Sequence, residues 1–258
     1  MKRRWGTILI LFVCIMAFGL GGAQALTSCR DLPDHAALQA ALSAAQSEAN
    51  GGFGLHMWAA LVNRDGDVCG VAFSGGDRGD QWPGSRVISA QKANTANAFS
   101  LPSLALSTAN LWAATQPGGS LFGLQHSNPV DTSVAYSNNA ANYGMPNDPM
   151  VGQKIGGVNV FGGGLALYNA SGTLLGAVGV SGDSSCADHN IAWRVRDALG
   201  LDHVPNGVGT PGDNIIFDVT NGFGHPECGV EDPDAADNTA VITACPLGDG
   251  ATPGCTSP

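Results

Sequence analysis

Leu38, Ala41, Leu42 and Ala45 fall at the i, i+3, i+4, i+7 spacing of one helix face, and Asn50-Gly51-Gly52 stops the pattern. This spacing predicts an amphipathic helix over residues 32–49. The period then changes. Residues 56–62 and 68–74 are apolar runs of strand length, and Asn63-Arg64-Asp65-Gly66 between them is a hairpin turn. Beyond Trp82-Pro83-Gly84, residues 87–99 form an alanine-rich helical stretch. Two further strands, 158–168 and 173–180, flank Asn169-Ala170-Ser171-Gly172, and a helix over 186–199 closes at Gly200. The order α-β-β-α-β-β-α predicts an α+β fold, an antiparallel sheet flanked by helices.

Two stretches fall outside that pattern. Residues 103–153 are rich in Asn, Ser, Pro and Gly, the composition of a long loop insertion, and loops of this length in compact domains are lids or binding loops. Residues 204–258 extend the 26–203 domain with an apolar run at 215–219, read as a strand, then Gly222-Phe223-Gly224-His225-Pro226 and three cysteines. The extension is expected to strap the core. Its acidic, Pro- and Gly-rich end beyond Glu231 reads as a mobile tail held by a cystine loop.

The N-terminus reads as an export signal. Lys2, Arg3 and Arg4 precede an apolar run over 5–22, and Ala23-Gln24-Ala25 supplies a small-x-small cleavage site, so cleavage is expected after Ala25. A retained anchor and a lipobox at Leu26-Thr27-Ser28-Cys29, which would acylate Cys29, are the alternatives. The expected location is periplasmic or extracellular, with no stable membrane insertion after cleavage. Setting aside Cys14 in the leader leaves Cys29, Cys69, Cys186, Cys228, Cys245 and Cys255, an even set that reads as three disulfides in an oxidising compartment. Six cysteines allow fifteen pairings. The expected set is Cys245–Cys255 as a local tail loop, Cys186–Cys228 and Cys29–Cys69. The alternative use is zinc, with His225 and Cys228 at H-x-x-C spacing and His189 nearby.

Charge narrows the partners. The chain has 11 Lys+Arg against 21 Asp+Glu. Without the three basic leader residues the balance is 8 against 21, a net −13 that disfavours nucleic acid and anionic membrane surfaces. A hydrophobic content of 44% is enough for a core, so the 37 Gly and 14 Pro point to ordered loops rather than disorder.

Candidate chemistry gathers in two segments. In the strand, Ala177, Gly179 and Ser181 share one face, and side chains this small let a helix or a flat ligand approach the backbone closely. In the alanine-rich helix, Lys92, Thr95 and Phe99 form one stripe, with the ammonium expected near the lip of any pocket. Ser185 and Asp188 have the spacing of a capping box, and the Gly182–Ser185 loop could present backbone N–H groups to a carboxylate. Lys92 could pair with Asp188 or with a ligand. Each feature also has a plain structural reading: a packed alanine helix with a solvated lysine, and a helix cap.

The two segments, SAQKANTANAF at 89–99 and LLGAVGVSGDSSCADHN at 174–190, carry a family resemblance. Lys92, Ala93, Thr95 and Ala96 fit a K-A-x-T-A helix. Gly176, Ala177, Gly179, Val180, Ser181 and Gly182, with Asp188 after them, fit a G-A-x-G-V-S-G strand. Both patterns are those of the GlcG/HbpS-like haem-binding family, which the chain resembles over residues 34–201. The resemblance implies an exported haem- or tetrapyrrole-binding protein serving haem sequestration, sensing or degradation, with homo-oligomerisation as a further expectation. The implied ligand is small and planar or bears a carboxylate. Its expected contacts are Lys92, Thr95, Gly179, Ser181 and Asp188, with His126 and Tyr143 from the central loop. The chain departs from the family at Gly75–Gly79, where an Arg-x-Asp-Gly-Ala run is usual, and at Gly156-Gly157-Val158-Asn159-Val160, where G-G-x-P-I is usual.

Haem iron needs an axial donor, and the candidates are His56, His126, Tyr143, Met145 and His189. No C-x-x-C-H motif is present for covalent attachment. Nor is there a G-x-S-x-G elbow, an H-E-x-x-H pair or a P-loop, which removes the main support for three hydrolase and NTPase classes. Two other functions remain as expectations: an enzyme acting on a small organic carboxylate, with Lys92 as electrophile or Schiff-base amine and Asp188 as acid or base, and a non-catalytic structural or sensory scaffold.

Overall fold

In the computed structural model, which describes residues 28–229, 234–248 and 255, both apolar hairpins join one sheet. Helix α1 (His35–Gln46) leads into strands β1 (Trp58–Asn63) and β2 (Val68–Phe73), followed by α2 (Ser85–Phe99), β3 (Gly164–Tyr168), β4 (Leu174–Ser181), α3 (Ser185–Ala198) and α4 (Asp234–Ala244). The strands lie antiparallel in the order β2-β1-β4-β3. The expected α+β architecture is present, and residues 1–25, read above as an export signal, lie outside the described residues.

The strands read as continuous apolar runs because both faces of the sheet are covered. On one face Ala59, Leu61, Val178 and Val180 pack with Leu38 and Leu42 of α1, Trp193 of α3 and Val241 of α4. On the other, Trp58, Ala60 and Val62 meet Val87, Ala90 and Ala93 of α2, with Met150 and Ile155 from the central segment. Trp58 and Phe73 stand edge to face across the β1–β2 pair, 5.3 Å between centroids.

Several boundaries differ from the sequence reading for identifiable reasons. Helix α1 starts later than residue 32 because the Asp34 carboxylate caps it, accepting from the Ala37 N–H at 2.9 Å. Strand β3 begins only at Gly164, since Asn159 is turned aside to donate its N–H to Thr95 Oγ1 at 3.0 Å. Residues 215–219 form no strand: Ile215 is apolar because it packs on Ala109 and Cys186. The stretch read as an acidic tail contains α4, docked on α3 through Val241.

All three expected disulfides form: Cys29–Cys69, Cys186–Cys228 and Cys245–Cys255. Each contributes about 2–4 kcal/mol, chiefly by restricting the unfolded chain. The extension is further tied down by Arg196 and Asp213, a fully buried bidentate pair at 2.8 and 2.9 Å. A buried asparagine chain does the same from α4, with Asn238 Nδ2 donating to Asn190 Oδ1 at 2.8 Å and Asn214 Nδ2 to Asn238 Oδ1 at 3.0 Å.

The central segment is ordered by short elements, among them one-turn helices at Leu124–Ser127 and Thr132–Ala135. Arg86 at the start of α2 moors it, donating Nε to Asp148 Oδ2 at 2.8 Å and Nη1 to the Ala135 carbonyl at 2.7 Å. Among the described residues no helix is long and apolar enough to cross a membrane.

Candidate functional site

The small-residue strand and the alanine-rich helix meet as directly as backbones can. A Cβ on Gly179 would overlap the Ser89 carbonyl oxygen and the Ala93 nitrogen, so α2 lies on β4 with no space between them. The close approach expected from the sequence is therefore made by the helix, and Gly179 faces α2.

Lys92 does not reach a lip. It is 2% exposed, and its Nζ donates to Asp188 Oδ2 at 2.6 Å and to the Val180 carbonyl at 3.1 Å. The alanines pack on the sheet as expected, yet residues 159–163 close over the stripe. Thr95 is buried too, donating to the Gln91 carbonyl at 2.8 Å while accepting from Asn159. The capping box is also replaced. Ser184, not Ser185, caps α3 by accepting from the Ala187 N–H at 3.2 Å, which frees Asp188 to accept from the Gly182 and Asp183 N–H groups at 3.1 and 2.9 Å. Burial raises the Asp188 carboxyl to about 6, outweighing the attraction of Lys92. Together these contacts make the Lys92–Asp188 pair a brace across β4. They also leave no free amine for a Schiff base.

Two clefts flank the first turn of α2. The larger, about 500 Å³, is walled by Trp58, Pro83, Tyr136 and Tyr143, with Arg78 and Arg86 as its cations. The Arg86 guanidinium lies 3.6 Å from the Tyr143 ring centroid, a cation–π contact that fixes the ring while Tyr143 Oη donates to the Ser137 carbonyl at 3.3 Å. Tyr136 is 55% exposed. The second cleft, about 340 Å³, is lined mainly by polar residues, Ser181, Asp183, Ser185 and Asp188 among them, together with Trp82 and Phe161. Those two aromatic side chains are 53% and 44% exposed.

Of the sequence-derived contacts, Lys92, Ser181 and Asp188 come together at the polar cleft and Tyr143 lines the larger one. Thr95, Gly179 and His126 line neither, and His126 is on the surface. His56 is exposed with Nδ1 3.1 Å from Ser74 Oγ, and Met145 is exposed. His189 is buried, accepts the Ile215 N–H at Nε2 at 3.2 Å, and is pushed down to about 3 by burial. The sequence reading missed Trp58, Arg78, Arg86 and Tyr136. None of them belongs to a local motif, and the clustering of tyrosines in an otherwise polar loop was the available signal.

The extension adds one more group. His225 comes against the N-terminus of α3, with Nε2 3.2 Å from Ser185 Oγ and Nδ1 2.7 Å from the Pro226 carbonyl. Cys186, His225 and Cys228 place their donor atoms within 4.8 Å of one another. The two sulfurs are joined to each other, however, so the thiolates a zinc site needs are not offered, and His189 takes no part.

Comparison with known proteins agrees with the motifs. The family model described as haem degrading protein HbpS-like matches residues 34–196. A PduOC:heme complex is 24% identical to this chain, covering 68% of it and 96% of the PduOC chain at a TM-score of 0.45. Klebsiella pneumoniae protein ORFY is also 24% identical, covering 65% of this chain and 90% of its own at 0.44. HbpS is 20% identical, with 65% and 90% covered at 0.40. No curated protein matches. The family match spans the helix, the strand and both clefts, and the chain belongs to the HbpS-like haem-degrading protein family.

Proposed function

We propose that this is an exported haem- or tetrapyrrole-binding protein that holds its ligand in the larger cleft. Family membership supports the ligand class, and the donor set of that cleft supports the location. Tyrosine oxygen ligates haem iron in some haem proteins, and Tyr136 is the exposed phenol here, with Tyr143 held beside it by Arg86. Pro83 lines the cleft beside the edge of Trp58, which is 1% exposed, and Arg78, half-exposed and paired with Asp77 at 3.6 Å, carries a charge that suits a propionate. Bound haem supplies the redox-active iron, while these side chains bind it, orient it and exclude water. The polar cleft fits less well, because none of its lining residues is His, Met, Cys or Tyr.

Titration of the purified protein with hemin is expected to give a saturable Soret band. Tyr136→Phe is expected to shift that band, and Arg78→Ala to weaken binding by about tenfold, the worth of one charge-assisted contact at a rim. No Soret band in the parent protein would sink the haem reading. An unchanged titration in Tyr136→Phe, Tyr143→Phe and Arg78→Ala together would move the site elsewhere. Loss of the bound Soret band on adding ascorbate, with release of an open-chain tetrapyrrole, assigns degradation; a persistent band assigns sequestration.

Three disulfides fit an oxidising compartment, and Cys29 is bonded to Cys69, which leaves it no thiol for acylation. Intact-mass analysis of the exported protein is expected to show cleavage after Ala25 and no alkylation without reduction. A diacylglycerol mass on Cys29 would overturn this.

A further inference from the structure

The extension brings a base, His225, against Ser185 of the polar cleft from a neighbouring cleft that His225 lines with Phe217 and Pro226. Ser185 is the first residue of α3 and lines the polar cleft. A backbone carbonyl can only accept, so the 2.7 Å contact to Pro226 O puts the His225 proton on Nδ1 and leaves the Nε2 lone pair facing Ser185 Oγ. The ring is 1% exposed and packs 6.0 Å from Trp112, so its orientation is fixed. The hydroxyl has one other neighbour, Cys228 Sγ at 3.4 Å, but a disulfide sulfur is a far weaker acceptor than imidazole nitrogen.

We propose that Ser185 and His225 form a nucleophile–base dyad that hydrolyses carboxylic esters bound in the polar cleft. The geometry is that of an activated serine: nucleophile to base within hydrogen-bond reach, and base to an orienting acceptor. The Pro226 carbonyl takes the place a carboxylate holds in the commoner triad, setting the tautomer without adding charge. Ser185 Oγ attacks the ester carbonyl carbon as its proton passes to Nε2. The bond to the alkoxy oxygen breaks and the leaving alcohol takes that proton. Water then adds to the acyl-Ser185 carbonyl, giving a proton to Nε2, and Ser185 Oγ recovers it as the carboxylic acid departs. The Cys186 N–H is taken by Cys228 Sγ at 3.1 Å, so the oxyanion is stabilised by the positive end of the 14-residue helix. Trp82 and Phe161 favour an ester with an aromatic or other flat apolar portion. Burial holds the His225 imidazole down to about 4, so the base is neutral across the ordinary pH range.

The test uses the full exported chain with p-nitrophenyl acetate and a fluorophosphonate. The expected results are one phosphonyl adduct mapping to Ser185, and kcat/KM lower by ~100-fold or more in both Ser185→Ala and His225→Gln. The pH profile is expected to rise through about 4 and level off near neutrality, following His225. Ser184 remains as the helix cap, so Ser185→Ala keeps the fold even if His225→Gln does not. No adduct at Ser185, or undiminished ester hydrolysis in Ser185→Ala, would overturn the dyad. Hemin titration of Ser185→Ala is expected to match the parent protein, so either reading can fail without the other.

Discussion

Lys92→Met is expected to lower the free energy of unfolding by about 3–5 kcal/mol at neutral pH, the usual cost of leaving one member of a buried ion pair alone. The reason lies in what remains. Asp188 is 2% exposed and would keep the Gly182 and Asp183 N–H groups but lose its cation. Burial already raises this carboxyl to about 6 with Lys92 present, and removing Lys92 raises it further. Here the folded state binds the proton more tightly than the unfolded chain. The stability associated with Asp188 is therefore fully present below about 4 and is lost as pH rises through the folded value. The deficit of Lys92→Met should accordingly be large at pH 7.5 and shrink toward pH 5. The double variant Lys92→Met/Asp188→Asn removes both charges while keeping an acceptor for the two N–H groups, and should recover most of the loss. Urea unfolding of the three proteins at both pH values checks this. Equal deficits at the two pH values, or a double variant no more stable than the single, would show that Lys92 acts through packing alone.

The same residue shows where sequence reading stops. The helix phase around Lys92 follows from spacing, and so does its stripe with Thr95, because both are local. What the lysine meets is not local. Asp188 lies 96 positions away, and residues 159–163 are held over the stripe by Asn159 on Thr95 and by the Gly163 carbonyl, which accepts from the Val180 N–H at 2.7 Å. The strands and their turns were readable because a run of apolar residues around Asn63–Gly66 carries its own geometry. Helix α4 was not. Its sequence DAADNTAVITA has a weak apolar face, and it is held by Val241 and by the Asn190–Asn238 bond to α3. The run at 215–219 misled in the opposite sense, since Ile215 and Phe217 serve the environment of Cys186 and not a strand partner. Both clefts are likewise products of tertiary assembly: Trp58, Arg78 and Tyr143, or Ser185 and His225, share no sequence pattern that would group them.

Gly179→Leu is expected to abolish the native packing of α2 on β4, and Gly179→Ala to cost about 3 kcal/mol, the upper end of the usual overpacking range. The obstacle is backbone at both contacts, and both belong to α2. A methyl at Gly179 would run into the Ser89 carbonyl and the Ala93 nitrogen, neither of which can rotate away as a side chain would. Gly164 on β3 is confined in the same way by the Lys92 carbonyl, so α2 cannot slide along the sheet to relieve the contact. Gly222 is the control, because a Cβ there meets nothing within 4 Å, and Gly222→Ala should change stability by less than about 0.5 kcal/mol. Thermal unfolding followed by circular dichroism ranks the variants, and hemin titration of folded Gly179→Ala separates the two roles a small residue could play here. If the glycine serves helix packing, the variant is less stable but binds hemin as the parent does. A stable Gly179→Ala that no longer binds would instead return the ligand to the β4 face and remove the basis for placing it between Tyr136 and Arg78.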